Sequence, residues 1–536
     1  MTDILTIRDS FLSPAVNLQH RRAGIAEAPL VRSYNLAHSL MTYTDATPLS
    51  GSPLATDKNA ADAKRRRVSG EMPTTFFSGL SGPEDPILGL RDRYIADPHP
   101  SKLSVAVGAY RTEEGKPLVL ECVREAEAAL LAAGDNKEYL PVDGLRAAHE
   151  AAARLVLGDA YSDRVYSAQT LSGTGGLSLA ARVVGAKTPG ATVYVPAPTW
   201  PIHYDVFRAA GLEVASYRYY DASTCALDFG GLCADLEALP LGAAVVLHAC
   251  AHNPTGADPT PEQWRAVGAI VQRRRLLPIF DVAYLGMGNR HGDIDDDAYA
   301  MRHFASLGDV EMLIVLSFAK NMGLYGERVG ALLAVCADAP TAAALGSHVR
   351  CLIRAIYSSP PAHGARLVAA VLGDAARAAK WRAELATMAG RMHEMREALH
   401  AALVAEECPP PDGIAHASWA HVLTQKGMFT CSGLTAAQVD TLRDEHHVYM
   451  TRDGRISMAS LSRPTCLQLA KAIKATLVAT ASASAGSRDS SSPAEASFKS
   501  TASSSLDELG PMTPKEAPPP KEASADATAG RASVDV

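Results

Sequence analysis

The chain has 536 residues, 47% hydrophobic and 20% charged, a globular composition with length for more than one domain. A net charge of −7 and a pI near 6.2 argue against nucleic acid as the main ligand, because phosphate binding needs a basic surface. Nine scattered cysteines without a Cys-x-x-Cys pair give no support to a disulfide framework or a structural zinc site, so no metal is expected.

Residues 1–73 are polar and patternless, the text of a disordered extension. The N-terminus lacks the basic-then-apolar order of a secretory signal. Arg8, Arg21, Arg22 and Arg32 with several serines hint at a transit peptide, whereas Asp3, Asp9 and Glu27 argue the other way. The expected compartment is the cytoplasm, with mitochondrion or plastid as the alternative. Lys64 to Arg67 reads as an exposed charge run, a nuclear-localisation signal or a kinase site at Ser69 being the alternatives. No run approaches the roughly 18 apolar residues of a membrane-spanning helix, so no membrane partner is expected.

From here apolar runs alternate with helical patterns. Ser172-Gly-Thr-Gly-Gly176 precedes a helical Leu177-Ser-Leu-Ala-Ala-Arg-Val-Val; Thr192–Val195, Ala244–His248, Leu277–Phe280 and Met312–Phe318 read as strands. Between the second and third of these, Pro261–Arg275 reads as a helix opening after Thr260 as N-cap. Such alternation means an α/β fold with a parallel sheet and right-handed crossovers. Trp381, Leu385, Met388, Met392, Met395, Leu399 and Leu403 form one stripe of a long helix, core packing or, alternatively, a methionine-rich binding face. Gly427 to Thr430, His447 to Met450 and Arg455 to Met458 suggest a smaller mixed α/β domain. Beyond about Thr480 the text is rich in Ala, Ser and Pro.

In open parallel sheets ligands bind outside the carboxyl ends of the strands. The polar groups emerging there are Pro198-Thr-Trp200, His252-Asn253-Pro-Thr-Gly256, Asp281-Val-Ala-Tyr284 and Lys320. An ammonium desolvated at the end of a strand as apolar as Met312–Phe318 loses proton affinity and becomes a usable nucleophile; a lysine that merely snorkels there is the alternative. Ser172 to Gly176, at a helix N-terminus, reads as an anion cradle, the alternative being only a turn. Together these groups fit pyridoxal phosphate: Lys320 to join it, Asp281 to keep its ring nitrogen protonated, Tyr284 and Asn253 to bond its phenolic oxygen. Trp200 offers a face for ring stacking, or is simply core.

These residues carry a resemblance. Val107-Gly-Ala-Tyr-Arg-Thr-Glu-Glu-Gly-Lys-Pro117, Glu138-Tyr-Leu-Pro141, Ser172 to Gly175, His248-Ala-Cys-Ala-His-Asn-Pro-Thr-Gly256, Asp281 to Tyr284, Ser317-Phe-Ala-Lys320 and Glu327-Arg-Val-Gly330 resemble the class I (fold type I) aminotransferases, specifically the aspartate aminotransferase subfamily. The likeness runs from about Pro86 to Ala475. It implies a mostly parallel seven-stranded sheet flanked by helices in a large domain at 118–387, a small domain at 388–477, and residues 74–117 as arm and part of the small domain; composition makes 478–536 a disordered tail. It implies transfer of the amino group from aspartate to 2-oxoglutarate, with amino and keto acids as partners and a homodimer that shares its sites. By position, Lys320 would carry the cofactor and move the proton, with Asp281 at the ring nitrogen. Ser172, Gly173, Thr174, Ser317 and Arg328 would hold the phosphate, with Tyr139 donated by the second subunit. His203 and His252 would stand behind Asp281 and the ring. Arg455 would bind the substrate α-carboxylate, beside Gly108, Trp200 and Asn253, and Arg354 the distal carboxylate across the dimer, with Arg350 as the register alternative. Ile202, Ala319 and Ala459-Ser460 depart from the commonest aspartate aminotransferase text. Gly326 and Tyr357-Ser-Ser359 resemble the aromatic amino acid aminotransferases of the same subfamily, which leaves substrate breadth open.

Overall fold

Apolar runs in the middle of the chain become one sheet because each is covered on both faces. In the computed structural model, which describes residues 77, 80–82, 88–415 and 418–488, the strands are β1 (Leu103–Ser104), β2 (Val165–Leu171), β3 (Thr192–Ala197), β4 (Glu213–Arg218), β5 (Tyr220–Asp221), β6 (Ala226–Leu227), β7 (Ala244–His248), β8 (Leu277–Val282), β9 (Met312–Ser317), β10 (Val329–Val335), β11 (Phe429–Cys431), β12 (Val448–Tyr449) and β13 (Arg455–Ser457). The chain divides after Gly82, and everything below concerns the unit that begins at Pro83. The expectations for residues 1–73, including Lys64–Arg67 and Ser69, and for the tail beyond residue 488 lie outside the described residues.

Seven strands form the main sheet in the order β2-β10-β9-β8-β7-β3-β4, and β10 alone runs against its neighbours. All residues of β7, β9 and β10 are buried. Side chains of a strand alternate in direction, so the sheet separates two cores. Val245, Leu247, Phe280, Ile314 and Leu316 belong to one, and Val246, Ile279, Leu313 and Val315 to the other. Each such apolar side chain contributes about 1.5–3 kcal/mol when removed from water.

The helices follow local signals. Pro261–Arg274 starts with Pro at its first turn and a capping box between Thr260 and Gln263, and it ends at Arg275 in the left-handed conformation. The long helix Ala375–Ala405 buries Trp381, Leu385, Met388, Met392, Met395, Leu399 and Leu403, so the stripe is core. The C-terminal segment builds its own small pairings: β11 lies antiparallel to β13, with Cys431 opposite Arg455, and β12 lies parallel to β1, with Val448 opposite Leu103. Residues near 103 therefore return to join the segment near 450.

Several boundaries differ from the sequence reading. β8 runs through Asp281 to Val282 because Asp281 pairs with His248 and Val315 in the ladder. The helix after β2 begins at Ser172 itself. The last helix, Arg463–Arg488, continues past residue 477, where the tail was expected to start. Its alanines favour helix although its serines resemble linker text.

Among the described residues no helix is long and apolar enough to cross a membrane, and no group of His, Cys, Asp and Glu is arranged to hold a metal ion. All nine cysteines are unpaired.

Candidate active site

The strand order explains why distant residues meet. β2, β3, β7, β8 and β9 run in one direction, so their carboxyl ends share an edge, and β10 starts from that edge just after Arg328. A cavity of about 250 Å³ opens there. Gly108, Ser172, Gly173, Thr174, Trp200, Asn253, Asp281, Tyr284, Ser317, Lys320, Arg328 and Arg455 all line it.

Lys320 follows β9 by three residues, and its amine stands 5.0 Å from the centre of the Tyr284 ring. Enclosure lowers its pKa, helped by the positive charges of Arg328 and Arg455 and opposed by Asp281. The buried Asp281 pairs through Oδ2 with His203 Nε2 at 3.0 Å. Burial alone would push this carboxyl up; the hydrogen bond from His203, with His203, His248 and Lys320 nearby, outweighs it and holds the group below the ordinary range. Behind them Thr199 Oγ1 lies 2.8 Å from His203 Nδ1 and 3.1 Å from His248 Nε2. Burial drives His248 and His252 well below the usual imidazole value. Burial raises the Tyr284 phenol, whose oxygen lies 3.5 Å from Asn253 Nδ2.

At the other end, the Ser172 and Ser317 hydroxyls lie 2.8 Å apart. Ser172, with φ 59°, turns the chain sharply into its helix, so that Ser172, Gly173 and Thr174 form the first turn. The exposed Arg328, with φ 52°, faces the same cavity. Hydroxyls, a helix N-terminus and a guanidinium make a phosphate-binding set.

Arg455 closes the third side. It is 3% exposed, donates from Nη1 to Asn253 Oδ1 (2.8 Å) and from Nη2 to the Ala106 carbonyl (3.0 Å), and lies 4.1 Å from the centre of the Phe429 ring. Its Nε is buried without a partner in the chain. Phe429 presses against Gly108, where a Cβ would meet its ring at 2.9 Å, so only glycine keeps that wall in place. Phe429, His248, Cys250 and Thr199 were given no role of their own from sequence. They contribute shape or relay hydrogen bonds, which neither spacing nor charge announces.

Tyr139 and Arg354 are not brought to this cavity by their own chain. Tyr139 is 91% exposed, and Arg354, also exposed, bonds the Ser358 hydroxyl on its own helix end. Arg350 is equally remote, paired with Asp143 at 3.5 Å.

An amine of lowered pKa, an ionised carboxylate on the same wall, a phenol beside an amide and a phosphate cradle are the groups that pyridoxal phosphate requires, and the donor set fits it. Fold and site together define a pyridoxal-phosphate-dependent transferase. Residues 100–473 match the family described as aminotransferase class I and II. Over 408 residues the chain is 48% identical to the cytoplasmic aspartate aminotransferase of Oryza sativa subsp. japonica, covering 75% of this chain and 98% of that one. It is 45% identical over 405 residues to the chloroplastic aspartate aminotransferase of Arabidopsis thaliana, covering 75% and 87%. The solved aromatic-amino-acid aminotransferase from Burkholderia pseudomallei, covalently bound to pyridoxal phosphate, superposes with a TM-score of 0.71 at 41% identity, covering 75% of this chain and all of the other (100%). The chain belongs to the class I and II aminotransferases, and its substrates are amino acids and keto acids.

Proposed function

We propose that the enzyme moves the amino group of L-aspartate to 2-oxoglutarate, giving oxaloacetate and L-glutamate in a reversible two-stage exchange. When bound, pyridoxal phosphate supplies the electron sink that allows an amino acid to lose its Cα proton. The chain's residues do the rest. Ser172, Gly173, Thr174, Ser317 and Arg328 would hold the phosphate, Asp281 the ring nitrogen, and Tyr284 with Asn253 the phenolic oxygen. Trp200 would cover one face of the ring. Lys320 would join the cofactor between turnovers and, once released, take the proton from the substrate Cα; its lowered pKa suits an amine that must act as a base near neutrality. Arg455 would bind the α-carboxylate in a two-pronged grip that a lysine could not reproduce.

The observation that carries this reading is the pose of Arg455, fixed between Asn253 and Phe429 on the cavity that Lys320 enters. We further infer a homodimer in which Arg354 and Tyr139, both exposed on their own chain, complete the partner's site, Arg354 taking the distal carboxylate. Residues 118–387 would be the large domain, and 388–477 with part of 74–117 the small one. We keep a cytoplasmic location as the reading, with mitochondrion or plastid as the alternative; the relatives include forms named cytoplasmic, chloroplastic and mitochondrial.

A second reading, an aromatic or broad-specificity aminotransferase, is favoured by Gly326 and Tyr357-Ser358-Ser359. Comparing kcat/KM for aspartate and phenylalanine, with 2-oxoglutarate as acceptor, decides between them. A higher value for aspartate is expected; a higher value for phenylalanine would replace the first reading with the second.

A further inference from the structure

Two charged side chains that take no part above, Asp258 and Arg396, stand behind the wall that carries Arg455. The half-buried Asp258 accepts the backbone N–H groups of Ala251 (2.7 Å) and His252 (2.9 Å), fixing the loop that leads into Asn253. Arg396, 1% exposed on the long helix, donates to the carbonyls of Val422 (3.2 Å), Gly427 (2.9 Å) and Phe429. The two loops meet. The Lys426 N–H donates to the Gly256 carbonyl at 2.6 Å, and a Cβ on Gly256, where φ is +66°, would lie 2.6 Å from the Lys426 carbonyl oxygen and 2.8 Å from that of Phe429. Beyond the junction both loops touch one guanidinium: Asn253 bonds Arg455 at 2.8 Å, and the Phe429 ring faces it at 4.1 Å.

The charges compensate each other through space. Enclosure pushes the Asp258 carboxyl up, opposed by the His252 and Ala251 N–H groups and by the charges of Lys426 and Arg396. Burial lowers Arg396 to about 9, opposed by Asp258. A cation buried this deeply is expensive, and three backbone carbonyls do not neutralise it. A purely structural site could be met by an apolar side chain of similar size.

We propose that Asp258 and Arg396 are paired positioning residues that set the pose of Arg455, one by holding the loop of Asn253 and the other by holding the loop of Phe429. The proposal rests on the reading of Arg455 as the substrate-carboxylate grip. It predicts a defect confined to carboxylate binding. In the full-length holoenzyme, Arg396→Met should raise KM for both aspartate and 2-oxoglutarate about tenfold, the equivalent of losing one hydrogen bond to a charged group. Neither kcat nor the Kd for pyridoxal phosphate should change appreciably. Arg396→Lys keeps the charge but not the fork, and should raise KM by less. The double variant Asp258→Asn/Arg396→Met leaves no uncompensated charge, and its KM should fall short of the product of the single effects.

If Arg396→Met does not fold, Arg396→Lys and the double variant carry the test. Lowered Tm with unchanged KM in those two would overturn the proposal and leave a structural role only. Arg455→Lys is run alongside. If it leaves KM unchanged, the grip reading itself fails; if it raises KM while the pair variants do not, only the positioning proposal fails.

Discussion

Asp281 illustrates how much of this site is the work of neighbours. Alone, a buried carboxyl would hold its proton and be useless opposite a ring nitrogen; the 3.0 Å contact with His203, itself bonded to Thr199, reverses the balance and keeps the charge. Asp281→Asn preserves shape and one acceptor but loses that charge. It should lower kcat at least about 100-fold, the scale seen when one preorganised electrostatic group is removed, with a smaller effect on KM. A kcat within a few-fold of the native value would remove Asp281 from its assigned role. Lys320 was legible from sequence because a lone amine ends an apolar run. Phe429 was not, because a phenylalanine in a short strand looks like any other core residue until Arg455 and Gly108 are seen against it.

Among the elements, the turn after β8 stores a pH dependence. The buried Asp297 accepts the N–H groups of Gly286 (2.7 Å) and Gly288 (2.9 Å) through one oxygen, and burial raises its pKa from 3.8 to about 6. The folded value exceeds the unfolded one, so this group's contribution to stability is complete below pH 3.8 and is lost as the pH rises through about 6. Asp297→Asn can keep both bonds through one oxygen and cannot ionise. Relative to the native chain, it should lose less stability between pH 5 and pH 8, by roughly 1.4 kcal/mol in denaturant titrations. Parallel pH profiles for the two proteins would refute the assignment. Element order was readable from alternating apolar runs and helix signals. Strand ends were less so: Asp281 looks like the start of a loop, yet its backbone is held in the ladder between His248 and Val315. The final helix was misjudged for the complementary reason, since alanine and serine text serves both helix and linker.

For the whole molecule, the exposure of Arg354 and Tyr139 is what the proposed shared site would leave on a single chain. Lys320→Ala and Arg354→Leu should each abolish or cripple aspartate turnover on their own. Mixed dimers would combine Lys320 from one chain with Arg354 from the other in one of their two sites. Co-refolding equal amounts should therefore restore about a quarter of native activity under random two-fold pairing. Failure of any recovery, with mixed dimers demonstrated, would count against cross-subunit donation.

The central claim is that this chain transaminates aspartate through Lys320. Its most direct test is to incubate the purified holoenzyme with L-aspartate and 2-oxoglutarate and measure both products, with Lys320→Ala in parallel. Oxaloacetate and glutamate should appear in equal amounts from the native chain and at background level from the variant. No transfer by cofactor-loaded native enzyme, or undiminished transfer by the variant, would contradict it.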